Sequence, residues 1–393
     1  MSVPFLRRRP DSGLGNIRSS PSDPARNIDW VLMLTVSALS LIGLATIYTS
    51  SRSKYALKAT APYGFFFVTR QELFLIGAVI VMVVVMSFDY DWWRDQSRFL
   101  YGVTLMMLAL VMLVGKISGG ARLSFDIGPI NLQPAEFAKF TVLLVVAAYL
   151  AEDRSDVLPY HRFIIGLLIV GAPAGLIILQ PDLGGVSVLV VMVMGVMLVA
   201  GAKLRHMAII TFAAVSTVVA ALVTNLVNEY QLRRFTAFFQ QDSNDPKLRD
   251  WVYQGRNAVR AVATGGITGK GWLKGPITEA RSDIPVQWQD FPFSAIGEEF
   301  GLIGAAVVLA LYAVVLVRIW RIAQLSRDLL GTYLCAGVFA ILLWQVFQNI
   351  AMTIGIMPIT GRPLPWISYG GSGVVTFFAL VGLVQNVHMR RYR

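Results

Sequence analysis

The chain has 393 residues, 55% of them hydrophobic and only 15% charged, where soluble domains carry roughly 25% charged residues. A mean hydropathy of +0.61 excludes a soluble globular enzyme, and the net charge of +11 needs no nucleic acid, because basic loops facing anionic lipid account for it. The single cysteine, Cys335, lies inside an apolar run, which rules out an intrachain disulfide and argues against redox chemistry.

Residues 1–28 are polar, with Arg7, Arg8, Arg9, Arg18 and Arg26 among Pro, Ser and Gly, and read as a flexible basic tail. The first apolar run is too long for a signal-peptide core and no small-residue cleavage site follows it, so it is expected to be a retained helix. Apolar runs of spanning length, about 17–25 residues, then fall near 29–49, 72–88, 99–115, 134–151, 163–179, 184–201, 207–227, 294–317, 328–350 and 371–388. The expected fold is an all-α integral membrane protein of about ten transmembrane helices over 29–390, with one large extracytoplasmic loop at about 228–293.

Ten spans put both termini on one side. With the N-terminus inside, the tail and the inner segments hold seventeen Lys and Arg, and the short outer loops hold seven. The positive-inside rule therefore predicts cytoplasmic termini and places the long loop outside. His161, His206 and His388 then fall at inner ends, so acid–base work at the outer face is left to Asp and Glu. No ATP is present there, and an enzyme on that face needs an already activated substrate.

The long loop holds Gly265-Gly266-Ile267-Thr268-Gly269-Lys270-Gly271-Trp272. The phosphate-loop pattern fails in it, because position 264 is Thr and Gly271 follows the lysine. Two readings remain: a tight Gly-rich turn, or a backbone cradle for a lipid-linked pyrophosphate with Lys270 as countercharge. Upstream, Pro134 suits the first turn of the fourth span and sets Glu136 and Lys139 at i,i+3 on one face. That pair either glues the bundle or lines a cavity, with Lys139 and Arg122 available to an anionic leaving group. Asp182, in Gln180-Pro181-Asp182-Leu183-Gly184, reads first as the cap of the next helix. Gln345, Gln348 and Asn349 form a polar stripe that either bonds between helices or faces a wet cavity. The Pro- and Gly-rich run from Met357 to Ser372 cannot be a regular helix, and such backbone persists at membrane depth only where protein or water satisfies it.

Asp290, Glu298 and Glu299 stand where the long loop enters the eighth span. Carboxylates at a membrane mouth are costly and read as functional candidates. Asp290 alone would pass as an N-cap or first-turn acid, helped by Pro292. The eight residues from Asp290 to Glu298 are about two turns if helical, so the two are expected to share a face.

Together these motifs resemble the SEDS family of cell-wall polymerases, which includes RodA, FtsW and their sporulation relative. The resemblance runs from about 29 to 390. It is carried by Gln133 through Lys139, Gln180 through Gly184, Gly265 through Trp272, Asp290-Phe291 with Gly297-Glu298-Glu299-Phe300-Gly301, and Leu364 through Ser372. The segment Pro358 through Pro365 is closer to the RodA pattern than to that of FtsW. Trp288-Gln289 replaces the family's His-Thr before the aspartate, Pro292 replaces its Ile, and Leu123 replaces a Trp after Arg122.

The resemblance implies a peptidoglycan glycosyltransferase of the bacterial cytoplasmic membrane that polymerises lipid II at the outer face. The alternatives are an FtsW-type division polymerase, a lipid II flippase or transporter, and a scaffold. Asp290 is the expected general base, or the ligand of a divalent cation, Mg²⁺ or Mn²⁺, that activates the acceptor hydroxyl. Glu298 and Glu136 would tune or orient it. Lys139, Arg122 and Lys270 would bind the pyrophosphate, and Gln133, Asp182, Asn349 and Ser368 complete the expected substrate contacts. No nucleotide or nucleic acid is expected. A class B penicillin-binding protein and the proteins of an elongation or division complex are the expected partners.

Overall fold

The computed structural model describes residues 24, 27–52, 63–118, 121–128, 130–153, 155, 157–223, 229–240, 245, 248–278 and 284–392. Most of the expected basic tail lies outside these residues. Ten apolar helices carry the chain back and forth: α1 (Trp30–Ser50), α2 (Tyr63–Ser87), α3 (Tyr90–Val114), α4 (Pro134–Ala151), α5 (Tyr160–Leu179), α6 (Leu183–Val199), α7 (Leu204–Val223), and then α11 (Pro292–Gln324), α12 (Leu329–Thr353) and α13 (Gly371–Met389). Between α7 and α11 lie the shorter α8 (Glu229–Phe239), α9 (Arg249–Gly265) and α10 (Gln287–Asp290). Among the described residues, eight of these helices are long and apolar enough to cross a membrane, and α6 and α7 add two apolar helices to them. The protein is a multi-pass membrane protein with the expected helical architecture.

Two spans begin a full two turns earlier than the apolar runs indicate. The α2 helix starts at Tyr63 rather than near 72 and absorbs Arg70, Gln71 and Glu72, and α3 starts at Tyr90 and absorbs Asp91, Arg94 and Asp95. Hydropathy marks where a helix meets hydrocarbon. It does not mark where backbone hydrogen bonding starts. Asp89 caps α3 through the amide of Asp91 at 3.2 Å, and Asp29 caps α1 through that of Leu32 at 3.0 Å.

The packing puts α4, α12 and α13 at the centre of the bundle, where most of their side chains are buried. Helix α13 lies along α2 and α4, α12 along α6 and α11, and α3 along α4. At the face where α1 begins and α13 ends, here the terminal face, Gln385 Nε2 donates to the Asp29 carbonyl at 2.8 Å, and Arg318 pairs with the Asp29 carboxylate.

At the opposite face, here the loop face, three short strands fold over the bundle between α3 and α4: β1 (Lys116–Ser118), β2 (Ala121–Ile127) and β3 (Ile130–Leu132). They pair antiparallel in the order β1-β2-β3, with Phe125 opposite Leu132 and Asp126 opposite Asn131.

Helix α11 is broken at Gly301, whose φ is 62° and ψ −156°. The turn after α9 is spliced into that break. The amides of Lys270 and Gly271 donate to the carbonyls of Glu298 and Glu299, both at 2.9 Å, while Leu302 and Ile303 donate back to Gly266 and Ile267 at 2.9 and 3.1 Å. A methyl group on Gly269 would run into the Glu299 carbonyl, and one on Gly301 into the Gly269 amide. Only residues without a Cβ allow two backbones so close.

Candidate active site

The loop face opens into a cavity of about 400 Å³, walled by α2, β2, α4, α10, the irregular run after α12 and the start of α13. Gln133, Glu136, Asp182, Asp290 and Ser368 line it, as do Arg70, Gln289, Arg234 and Arg362.

Its floor is an ion-pair network centred on Arg362. That guanidinium donates through Nη1 to Glu136 Oε1 at 3.0 Å and through Nη2 to the Asp182 carboxylate. Lys139 Nζ donates to the two Glu136 oxygens at 2.9 and 2.7 Å and to Gln345 Oε1 at 2.8 Å. Glu136, Lys139 and Arg362 are each at most 3% exposed. Charges this deep hold their ionised forms only through such mutual pairing. Burial alone would raise the Asp182 carboxyl, but Arg362 against it reverses that and holds it below the usual carboxylate range. Asp182 also accepts from the Gly185 amide at 3.0 Å, so its helix-capping reading holds beside the ion pair.

The run from Met357 to Ser372 keeps its irregular backbone because side chains satisfy it. Gln345 donates to Pro363 O at 2.9 Å, Asn349 to Arg362 O at 2.7 Å, and Leu364 N to Ser368 Oγ at 2.7 Å. Tyr312 Oη donates to the Pro365 carbonyl. The polar stripe of α12 therefore bonds to neighbouring elements and does not itself face the cavity, since Gln345, Gln348 and Asn349 are each at most 1% exposed and none lines it. Gln348 bonds across to Ser187 at 2.8 Å, while Gln345 and Asn349 hold the cavity wall. Gln133 meets α13 through its amide, which donates to Ser372 Oγ at 3.0 Å.

Asp290 ends the four-residue α10 at the cavity rim. It is not the cap of α11, whose N-cap is Phe291 and has no side-chain capping bond. Its carbonyl accepts from Asn349 Nδ2 at 2.9 Å. Glu136 and Asp182 are tied into the cationic network, and Asp290 makes no direct ion pair among the described residues. Burial pushes its carboxyl up to about 6, with Arg234 and Arg362 pulling the other way. Arg234 donates to Thr360 O at 3.4 Å and packs over Trp251, and Arg70 packs over Phe66. Trp288 next door is buried against Phe67 at 4.9 Å, and its carbonyl accepts from Tyr369 N at 2.9 Å. The unusual tryptophan thus anchors the rim, while Gln289 faces the cavity.

Of the expected substrate contacts, Lys139 and Asn349 are fully buried behind the cavity and do not line it, and three further expected site residues lie elsewhere. Glu298 does not share a face with Asp290, because the chain is not one helix between them: Phe291 breaks it with φ −124° and ψ 38°. Its carboxylate turns to the long loop and accepts from the amides of Ile277 and Thr278, both at 2.8 Å. Arg122 is exposed and donates to the last carbonyls of α3, at 2.5 Å to Leu113 and 3.3 Å to Met112. A basic side chain at a helix C-terminus is favourable there. Lys270 is exposed, and the amides of Lys270 and Gly271 are spent on α11, so the Gly-rich turn reading holds and a backbone phosphate cradle does not.

In exchange, the fold supplies Arg362, Arg234 and Arg70. Sequence reasoning assigned none of these three arginines a role in the site. Arg362 could have been found as the lone cation in a run that must cross membrane depth without helix. Among the described residues no group of three or more His, Cys, Asp and Glu stands close enough to hold a metal ion by itself.

A family model described as the FtsW, RodA and SpoVE cell cycle protein matches residues 29–393. Stage V sporulation protein E of Bacillus subtilis is 32% identical over 364 residues, covering 91% of this chain and 96% of that protein. The peptidoglycan glycosyltransferase MrdB of Escherichia coli K12 is 31% identical, covering 80% of this chain and 83% of that one. Among solved structures, a chain of a peptidoglycan synthase complex that coordinates polymerization and crosslinking superposes with a TM-score of 0.76 at 29% identity, covering 93% of this chain and 99% of that one. The rod shape determining protein RodA of Thermus thermophilus superposes with a TM-score of 0.68 at 28% identity, covering 93% and 98%.

Proposed function

The chain belongs to the FtsW, RodA and SpoVE family, and we propose that it is a peptidoglycan glycosyltransferase polymerising lipid II, with Asp290 as its general base. The observation that carries this is the contrast within one cavity: Glu136 and Asp182 are held by buried cations, and Asp290 is left at the rim. A carboxyl near 6 is ionised at neutral pH and still basic enough to accept a proton in the transition state.

The reaction joins two lipid-linked sugars. Asp290 takes the proton from the acceptor hydroxyl as that oxygen attacks the anomeric carbon of the donor, and the lipid pyrophosphate leaves. An α-linked donor yields a β-linked product by one inverting displacement. The departing charge meets Arg70 and Arg234, which line the same cavity. Lys139 and Arg362 are engaged by Glu136 and Asp182, so they set the potential of the floor rather than grip the phosphates.

The donor set fits a divalent cation only as a shared one, since Mg²⁺ is commonly held by one or two carboxylates together with substrate phosphates. Asp290 would be its protein ligand, and the ion would lower the pKa of the acceptor hydroxyl. The basic residues flanking the spans support cytoplasmic termini, which puts the loop face and this cavity outside the cell. The solved relative sits in a complex that couples polymerization to crosslinking. With the family resemblance, this supports a class B penicillin-binding protein as partner.

The test uses purified protein and lipid II. Asp290→Asn is expected to lower glycan polymerisation by about 10²–10⁴-fold, the usual loss for a general base, with the protein still folded. Wild-type activity in that variant would refute the assignment.

A further inference from the structure

Glu298 is fully buried, is a carboxyl group the proposed chemistry does not use, and lies off the cavity. Its carboxylate has three donors: the amides of Ile277 and Thr278 at 2.8 Å each, and Thr278 Oγ1 at 2.5 Å. From there a line of hydrogen bonds runs toward Asp290. Gln287 Nε2 donates to Thr278 Oγ1 at 3.3 Å and to Ser294 Oγ at 2.9 Å, and Ser294 Oγ donates to Phe291 O at 2.7 Å. Thr278, Gln287, Ser294 and Glu298 are all at most 1% exposed. The line grips the chain three residues before Asp290 and again directly after it.

That grip matters because α10 cannot stand alone. It is a single turn of four residues, and an isolated turn is unfavourable in water. Its entry residue, Val286, has φ 54° and ψ 34°, a left-handed conformation that a β-branched side chain resists. Such a conformation lasts only where its surroundings over-determine it. The far end of the line is equally fixed, because the spliced Gly-rich turn holds the Glu298 carbonyl through Lys270 N. A carboxylate suits the inner end of this line, since charge-assisted hydrogen bonds are the stronger ones and three donors satisfy it.

We propose that Glu298, Thr278, Gln287 and Ser294 form a buried positioning network that holds Asp290 at the cavity, and that Glu298 acts through this network without meeting substrate. Only the kinetic consequence rests on the polymerase reading above.

The test compares Thr278→Val, which removes the hydroxyl, with Thr278→Ser, which keeps it, in the full-length protein in detergent. In the valine variant, hydrogen exchange at the amides of Gln289, Asp290 and Phe291 is expected to quicken roughly fivefold, the factor one such hydrogen bond is worth. With lipid II, kcat is expected to fall by about 10²-fold, as for a misplaced catalytic group, with KM unchanged. The serine variant stays near wild type in both exchange and kinetics. Should Thr278→Val fail to fold, Gln287→Met breaks the same line and carries the same expectations. Wild-type exchange and kinetics in the valine variant, or equal losses in valine and serine, would overturn the network. Quickened exchange in a protein whose wild type makes no glycan would support the network and count against the polymerase reading.

Discussion

Among the described residues a polar cavity opens at each face, and the two treat charge in opposite ways. The terminal-face cavity is the larger, about 1120 Å³ against about 400 Å³. It is walled by Asp91, Arg94, Asp95, Arg98, Glu152 and Arg327. Arg94 pairs in the open, 45% exposed and bonded to Asp91 and Asp95 at 3.1 Å each, and Arg327, 22% exposed, bonds Asp91 at 2.6 Å. The smaller cavity instead keeps Arg362, Glu136 and Lys139 almost wholly out of solvent. Exposed pairs are screened and contribute little, whereas buried ones must be matched partner for partner. Size therefore says little about where chemistry occurs. The retained cost of buried charge says more.

The largest effect that separates the two faces is expected from Arg362→Met. It leaves the buried Glu136 and Asp182 short of a cation, and unpairing a buried charge costs about 3–5 kcal/mol. Thermal unfolding in detergent should show a marked fall in Tm, and an unchanged Tm would erase the contrast drawn above.

Next comes pH. With Asp290 as the proposed general base, its ionised form is the active one, so glycan synthesis should fall about tenfold per unit as pH drops below about 6. The stability contribution has the opposite sense. The folded-state value is raised above the ordinary value of about 3.9, so protonation favours the fold. That contribution is complete below about 3.9 and is lost as pH rises through about 6. Asp290→Asn should thus raise Tm at pH 7 while destroying activity, and lose most of that advantage near pH 4. A Tm difference independent of pH would show that burial does not shift this carboxyl.

The smallest effect belongs to the terminal face. Arg94→Ala removes two exposed ion pairs and should change stability by no more than about 1 kcal/mol, with polymerisation untouched. A large loss there would assign the bigger cavity a role that its exposed pairs do not indicate.

Much of the candidate site was legible before folding. Asp290, Glu136 and Lys139 are charges in or beside apolar runs, where they need a reason to exist; Asp290 and Glu136 line the cavity, and Lys139 lies buried behind it, bonded to Glu136. Asp182 was legible as a cap, and only its second role, as the partner of Arg362, was hidden. Glu298 was misplaced because eight residues read as two turns of helix, and the break at Phe291 has no signal beyond Pro292. Arg122 and Lys270 were placed by their charge alone, and both face solvent. Arg362 escaped notice because its partners are 180 and 226 positions away.

What the sequence determined by itself is the class of protein, the set of spans and the identity of the costly acids. Each follows from transfer free energies that act locally along the chain. What only the tertiary structure decided is which acid stays out of the ion-pair network. Glu136 and Asp182 are quenched by a guanidinium from a distant loop, and Glu298 is consumed by loop amides, which leaves Asp290 at the rim. Pairing between residues hundreds of positions apart depends on how the helices pack, and no local pattern encodes it.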